Sequence, residues 1–78
     1  MLHEPTTLAS VARLIGETLH DAYDIDPGVI YSGLGIDPSL FAEPGNRLSF
    51  ARMGKLWEAA VAATGDPMFG LEVGSRAR

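Results

Sequence analysis

The sequence predicts an all-α fold, a compact array of four to five short helices with brief connections. Three observations carry this. Apolar residues recur at three- and four-residue intervals through two long stretches. Asp-Pro or Ser precedes each helical stretch after the first, and glycine follows, which are start and stop signals. No alternating apolar–polar run is long enough to read as a strand.

Residues 1 to 6 read as a lead-in, in which Pro5 disfavours helix at Glu4. Thr6 or Thr7 is placed to cap the first helix by accepting a hydrogen bond from an orphan backbone N–H. Leu8, Val11, Ala12, Ile15, Leu19, Ala22 and Tyr23 then form one apolar stripe, with Arg13, Glu17 and Asp21 on the other side. Gly16 weakens this helix by about 1 kcal/mol relative to alanine, unless another backbone packs close there.

Asp26-Pro27 opens the second helix, because Asp caps and Pro lacks only an N–H that would be unpaired anyway. Val29, Ile30 and Leu34 supply its apolar side, and Gly33 and Gly35 end it. Asp37-Pro38 repeats the start signal ahead of the single apolar turn Leu40-Phe41. Glu43-Pro44-Gly45-Asn46 is a turn cluster. Ser49 caps the longest helix, whose stripe is Phe50, Met53, Trp57, Ala60, Val61 and Thr64. Leu56, Ala59 and Ala63 widen it, which predicts burial over more than half the circumference. Gly65 stops it. Asp66-Pro67 then starts a last short helix with Met68, Phe69, Leu71 and Val73, ending near Gly74.

A chain of 78 residues makes one small domain with a thin core, yet 46% of it is hydrophobic. That excess predicts apolar faces that meet a second copy or further protein. With no cysteine, a disulfide framework and a thiolate metal site are excluded, which suits a reducing cytosol. The start lacks the basic and apolar regions of a secretory signal, and no apolar run reaches membrane-spanning length, so a cytoplasmic protein off the membrane is expected. Net charge is −4, and the six basic residues form no stripe, so this segment is not expected to touch nucleic acid.

The residues offer little chemistry. His20 has Glu17, Asp21 and Asp24 at helical spacing, an arrangement that serves a proton relay or a weak metal site. One histidine with carboxylates of its own helix cannot complete a tetrahedral site, so a solvated polar face is the better reading. His3 falls in the lead-in. The serines lack a base and an orienting acid, and Gly33-Leu34-Gly35 lacks the strand and third glycine of a phosphate loop. No catalytic residue, metal or cofactor is expected, and the chain does not read as an enzyme. Trp57 shares a stripe with Phe50 and Val61, which makes it core rather than a ligand contact. Tyr23 and Tyr31 are the ligand-binding candidates, since each flanks a helix end and keeps a hydroxyl available. Phe50, Met53, Trp57 and Val61 form the expected self-association face.

The run Leu34-Gly35-Ile36-Asp37-Pro38-Ser39-Leu40, then Asn46-Arg47-Leu48-Ser49-Phe50, Leu56-Trp57-Glu58-Ala59-Ala60, Thr64-Gly65-Asp66-Pro67 and Phe69-Gly70-Leu71, carries a resemblance. It resembles the N-terminal ligand-binding, arabinose-binding-like domain of AraC-type transcriptional regulators over roughly residues 8–74. Those domains carry Gly-Leu-Asp-Pro-x-Leu, an Arg-Ile-Pro lead into Leu-Trp-Glu-Ala-Ala, and Thr-Gly-Asp-Pro-x-Leu-Gly-Leu. Ser49 stands here where that family often has proline. The family domain continues well beyond the matched segment and is followed by helix-turn-helix DNA-binding motifs, which residues 1–78 do not contain. The resemblance therefore implies a single helical subdomain, the N-terminal part of a larger effector-binding domain. Its implied role is effector sensing and dimerisation in transcription regulation, with a small organic effector bound only together with the rest of that domain. The other reading is a free-standing helical protein–protein interaction module, docking an amphipathic helix into a partner's groove.

Overall fold

A computed structural model describes residues 6–43 and 45–77. Among them run β1 (Thr6–Leu8), α1 (Ala9–Tyr23), α2 (Pro27–Gly33), a 3-10 turn (Pro38–Ala42), β2 (Arg47–Ser49), α3 (Phe50–Thr64) and α4 (Phe69–Arg76). Of the expected lead-in, residues 1–5, with His3, lie outside the described residues, as do Pro44 of the turn cluster and Arg78, while Thr6 opens β1. The predicted all-α class holds, with one addition: β1 and β2 pair antiparallel, Thr7 opposite Leu48 and Leu8 opposite Arg47.

That long-range strand pair changes how α1 starts. Neither Thr6 nor Thr7 caps it. Leu8 occupies the cap position in an extended conformation with no side-chain hydrogen bond, and the Ala9 N–H donates to the Asn46 carbonyl at 2.8 Å instead. The backbone just ahead of β2 satisfies an orphan donor that a threonine hydroxyl was expected to take.

Two of the three Asp-Pro signals cap the element they precede, while Asp66 closes a turn ahead of α4, which starts at Phe69 with Met68 in its cap position and no side-chain cap hydrogen bond. A carboxylate oxygen of Asp26 accepts from Gly28 N–H at 2.9 Å, Asp37 from Ser39 N–H at 2.9 Å, and Asp66 from Met68 N–H at 2.8 Å. Ser49 Oγ accepts from Arg52 N–H at 3.2 Å. Gly65 ends α3 in the left-handed region at φ 63°. Gly33 stays inside α2, and Gly35 alone takes the left-handed turn beyond it, at φ 69°. The Arg52 guanidinium donates to the Gly35 carbonyl at 2.6 Å, tying the end of α2 to α3.

The core lies where α1, α3 and α4 meet beside the β1–β2 pair. Ile15, Leu19, Leu56 and Phe69 are completely buried. Thr18 is buried with them and loses no hydrogen bond, because its hydroxyl donates to the Leu14 carbonyl at 2.8 Å. Two expected stripes rotate. On α1, Leu8 and Ala22 are exposed, while Ala9, Gly16 and Thr18 turn inward. On α3 only Met53, Leu56 and Ala60 are buried, so the expected burial over more than half its circumference does not occur. Neighbouring elements cover one side of α3, and Arg52, Lys55 and Glu58, with alanines among them, face solvent on the other. α4 reaches Arg76, past the expected stop at Gly74.

Candidate functional site

A cleft of about 300 Å³ opens between α1, the start of α2 and the 3-10 turn. Its floor is carbon: Gly16 on α1, Pro27 and Tyr31 on α2, Pro38 and Phe41 beyond it. Gly16 is buried because Tyr31 crosses directly over it. The Tyr31 hydroxyl donates to the Ala12 carbonyl at 2.7 Å, and its ring meets Phe41 nearly edge-on, with centroids 5.1 Å apart. Burial pushes the Tyr31 phenol up to about 12. The rim is polar and comes from the solvent face of α1. Arg13 Nε donates to Glu17 Oε1 at 3.0 Å, and His20 Nδ1 lies 3.0 Å from Asp21 Oδ1. The Asp21 hydrogen bond and charge hold the His20 imidazole above its ordinary value, with Asp24 and Asp26 adding to the effect.

The two tyrosine candidates separate. Tyr31 forms the cleft floor, whereas Tyr23 is not part of its lining. Tyr23 donates to Asp66 Oδ2 at 2.7 Å and packs on Phe69, fastening the end of α1 to the start of α4. That bond, first among several causes, raises the Tyr23 phenol to about 12 and lowers the Asp66 carboxyl. Both were expected to keep a hydroxyl available, and both hydroxyls are engaged within the protein. Tyr31 therefore contributes a ring and not a donor. Arg13, Pro27, Pro38 and Phe41 escaped sequence reasoning. They come from separate elements, and only Gly16, a glycine in mid-helix, signalled a close approach.

Elsewhere the expected residues fall as follows. His20, Glu17, Asp21 and Asp24 are exposed, and among the described residues no three His, Asp or Glu side chains are placed to hold a metal ion. Trp57 is half-buried, with an edge on Phe69 at 5.8 Å between centroids. Of the expected self-association face, Met53 is turned into the core at 5% exposure, while Phe50 is 59% and Val61 37% exposed. On a helix of 3.6 residues per turn, Phe50, Trp57 and Val61 fall within roughly 40° of one another, about a quarter turn from the buried stripe. Among the described residues no helix is long and apolar enough to cross a membrane.

Comparison with known proteins places these features in a family context. The model of the arabinose-binding domain of AraC transcription regulators, N-terminal, matches residues 25–78. The match runs from the approach to α2 through α4, so α1, which supplies the cleft's rim, stands before it. No curated protein and no solved structure matches the chain.

Proposed function

The chain belongs to the family of N-terminal arabinose-binding domains of AraC transcription regulators, a ligand-binding domain that serves transcription regulation, and from that premise we propose that it senses a small organic effector through the cleft over Tyr31. The observation that carries this reading is the cleft itself, an aromatic and proline floor under a rim of hydrogen-bonding side chains. Its volume sits at the lower end of small-molecule sites, which run from about 300 to 1,000 Å³. Such a site binds an effector weakly by itself, and the remainder of a larger effector-binding domain, of which residues 1–78 form the N-terminal helical part, covers the effector's other face and tightens it. The segment works by binding rather than catalysis, in the cytoplasm, and it leaves DNA contact to other parts of the regulator, consistent with its net charge of −4.

A thermal-shift screen of pentoses, polyols, aromatic acids and aromatic amines tests the sensing role, because a ligand that binds only the folded state raises the melting temperature. Glu17 stands on the exposed rim, so Glu17→Trp plugs the cleft without touching the core. Hits are expected to shift the native chain and to lose that shift in the plugged variant. A screen without hits, or hits indifferent to the plug, sinks the reading.

The same premise extends to self-association through the exposed side of α3. Phe50 and Val61, with Trp57 at their edge, form an apolar strip that water covers at a cost. Sedimentation of the chain is expected to show a concentration-dependent dimer that Phe50→Ser weakens. A monomer at every concentration removes dimerisation from the proposal.

A further inference from the structure

We infer that the cleft over Tyr31 takes a small aromatic amine, with the ring seated on the carbon floor and the ammonium held at the mouth by Glu17 and Asp21. The inference rests on the sensing role proposed above and adds the chemical class of the ligand. It departs from the pentose in the family's name, for reasons found in this chain.

The floor comes first. Gly16, Pro27, Tyr31, Pro38 and Phe41 present carbon to the cleft. The one hydroxyl among them, on Tyr31, is committed to the Ala12 carbonyl at 2.7 Å. A pentose carries hydroxyls around its ring, and those pressed on this floor would leave water without gaining a partner, which is unfavourable. An aromatic ring surrenders no hydrogen bond there. It can also continue the edge-to-face arrangement already set by Tyr31 and Phe41, whose planes stand at 64°.

The mouth then decides the charge. Glu17 and Asp21 stand on the lining itself, and Asp24 and Asp26 are close enough to act on the His20 imidazole. Against these four carboxylates stand Arg13, paired with Glu17 at 3.0 Å, and Arg76, 3.5 Å from Asp21. Four carboxylates outnumber the two arginines and His20 together, so the mouth is negative whether His20 is neutral or protonated. The Arg13–Glu17 pair is solvent-exposed at both ends, and such pairs are weak enough to exchange partners. An arriving ammonium can take Glu17 or Asp21 as its counter-ion and sit near the Tyr31 and Phe41 rings, which attract cations. A carboxylate in the same place meets like charge. The cleft volume of about 300 Å³ admits a single ring with a short tether.

The test is an NMR titration of the isotope-labelled chain at neutral pH with phenethylamine, hydrocinnamate and L-arabinose in separate experiments. Phenethylamine is expected to give saturable shifts centred on the amides of Gly16, Tyr31 and Phe41, with affinity about tenfold above that of hydrocinnamate. In the double variant Glu17→Gln, Asp21→Asn, two exposed changes that leave the core intact, that preference is expected to collapse. Arabinose moving the same amides at lower concentration than the amine overturns the ligand class and leaves the sensing cleft standing. The absence of saturable shifts from phenethylamine overturns the inference, while the sensing reading stands or falls on the wider thermal-shift screen. A preference for the amine that survives the double variant also overturns the inference, because the carboxylates then do not select it.

Discussion

Phe69→Ala is expected to leave the chain largely unfolded in mild denaturant, a larger loss than any other single truncation of a ring in this protein. Phe69 is the largest completely buried side chain. Its ring lies 5.6 Å from that of Tyr23 and 5.8 Å from that of Trp57, so it joins α1, α3 and α4 at one point. Truncating a buried phenylalanine costs about 3–5 kcal/mol, from lost transfer energy plus the cavity left behind. A domain of this size holds about 4–12 kcal/mol in all, at the usual stability per residue. One substitution thus removes much of the margin. Trp57→Ala is expected to cost less despite the bigger ring, because Trp57 is only half-buried and its loss opens a groove rather than a sealed void. Phe69→Leu keeps most of the volume and should cost under about 1.5 kcal/mol beyond its lost ring contacts. Urea denaturation followed by circular dichroism orders the three variants. A midpoint for Phe69→Ala no lower than that of Trp57→Ala would mean that the three helices do not share this anchor.

The features that were legible in the sequence are those decided within a few residues. The aspartate of each Asp-Pro turn accepts from its own second following N–H, and Ser49 caps Arg52, so no distant part of the chain has to be known. The rotation of α3 was not legible for the opposite reason. Arg52, Lys55 and Glu58 mark a solvent side, but Ala51, Ala59, Ala62 and Ala63 lie among and beside them, and alanine is too small to declare a direction. Which side is buried depends on where α1 and α4 land, and the answer was Met53, Leu56 and Ala60. The β1–β2 pair escaped because three residues per strand are too few to display alternation and the two strands lie far apart in sequence. The cleft escaped because its lining comes from α1, α2 and the 3-10 turn, whose sequences carry no shared motif. Tyr31 was picked out for its hydroxyl, and it is the ring that counts.

Gly16→Ala is expected to destabilise the chain, although glycine to alanine inside a helix normally stabilises it by about 1 kcal/mol. A methyl group built on Gly16 would overlap the Tyr31 hydroxyl, and it would stand 2.9 Å from Tyr31 Cζ and 3.2 Å from Pro27 Cβ. Tyr31 cannot swing away. It is 5% exposed, hydrogen-bonded to Ala12 and held against Phe41. The strain therefore passes to the α1–α2 contact, and overpacking of this kind costs about 1–3 kcal/mol. After the propensity gain, a net loss of up to about 2 kcal/mol remains. Tyr31→Phe alone removes one hydrogen bond, about 1 kcal/mol. In the double variant the hydroxyl that causes the worst overlap is gone, so the two losses should not add. The rescue is partial, because Cζ keeps its close approach. Urea denaturation of the four proteins gives the coupling directly, and contacting residues couple by about 0.5 kcal/mol or more. Simple additivity would show that α2 yields freely and that Gly16 is not required by Tyr31. A coupled result ties the glycine of α1 to the ring that floors the cleft, so that this helix can carry alanine at position 16 only by moving the wall of the site.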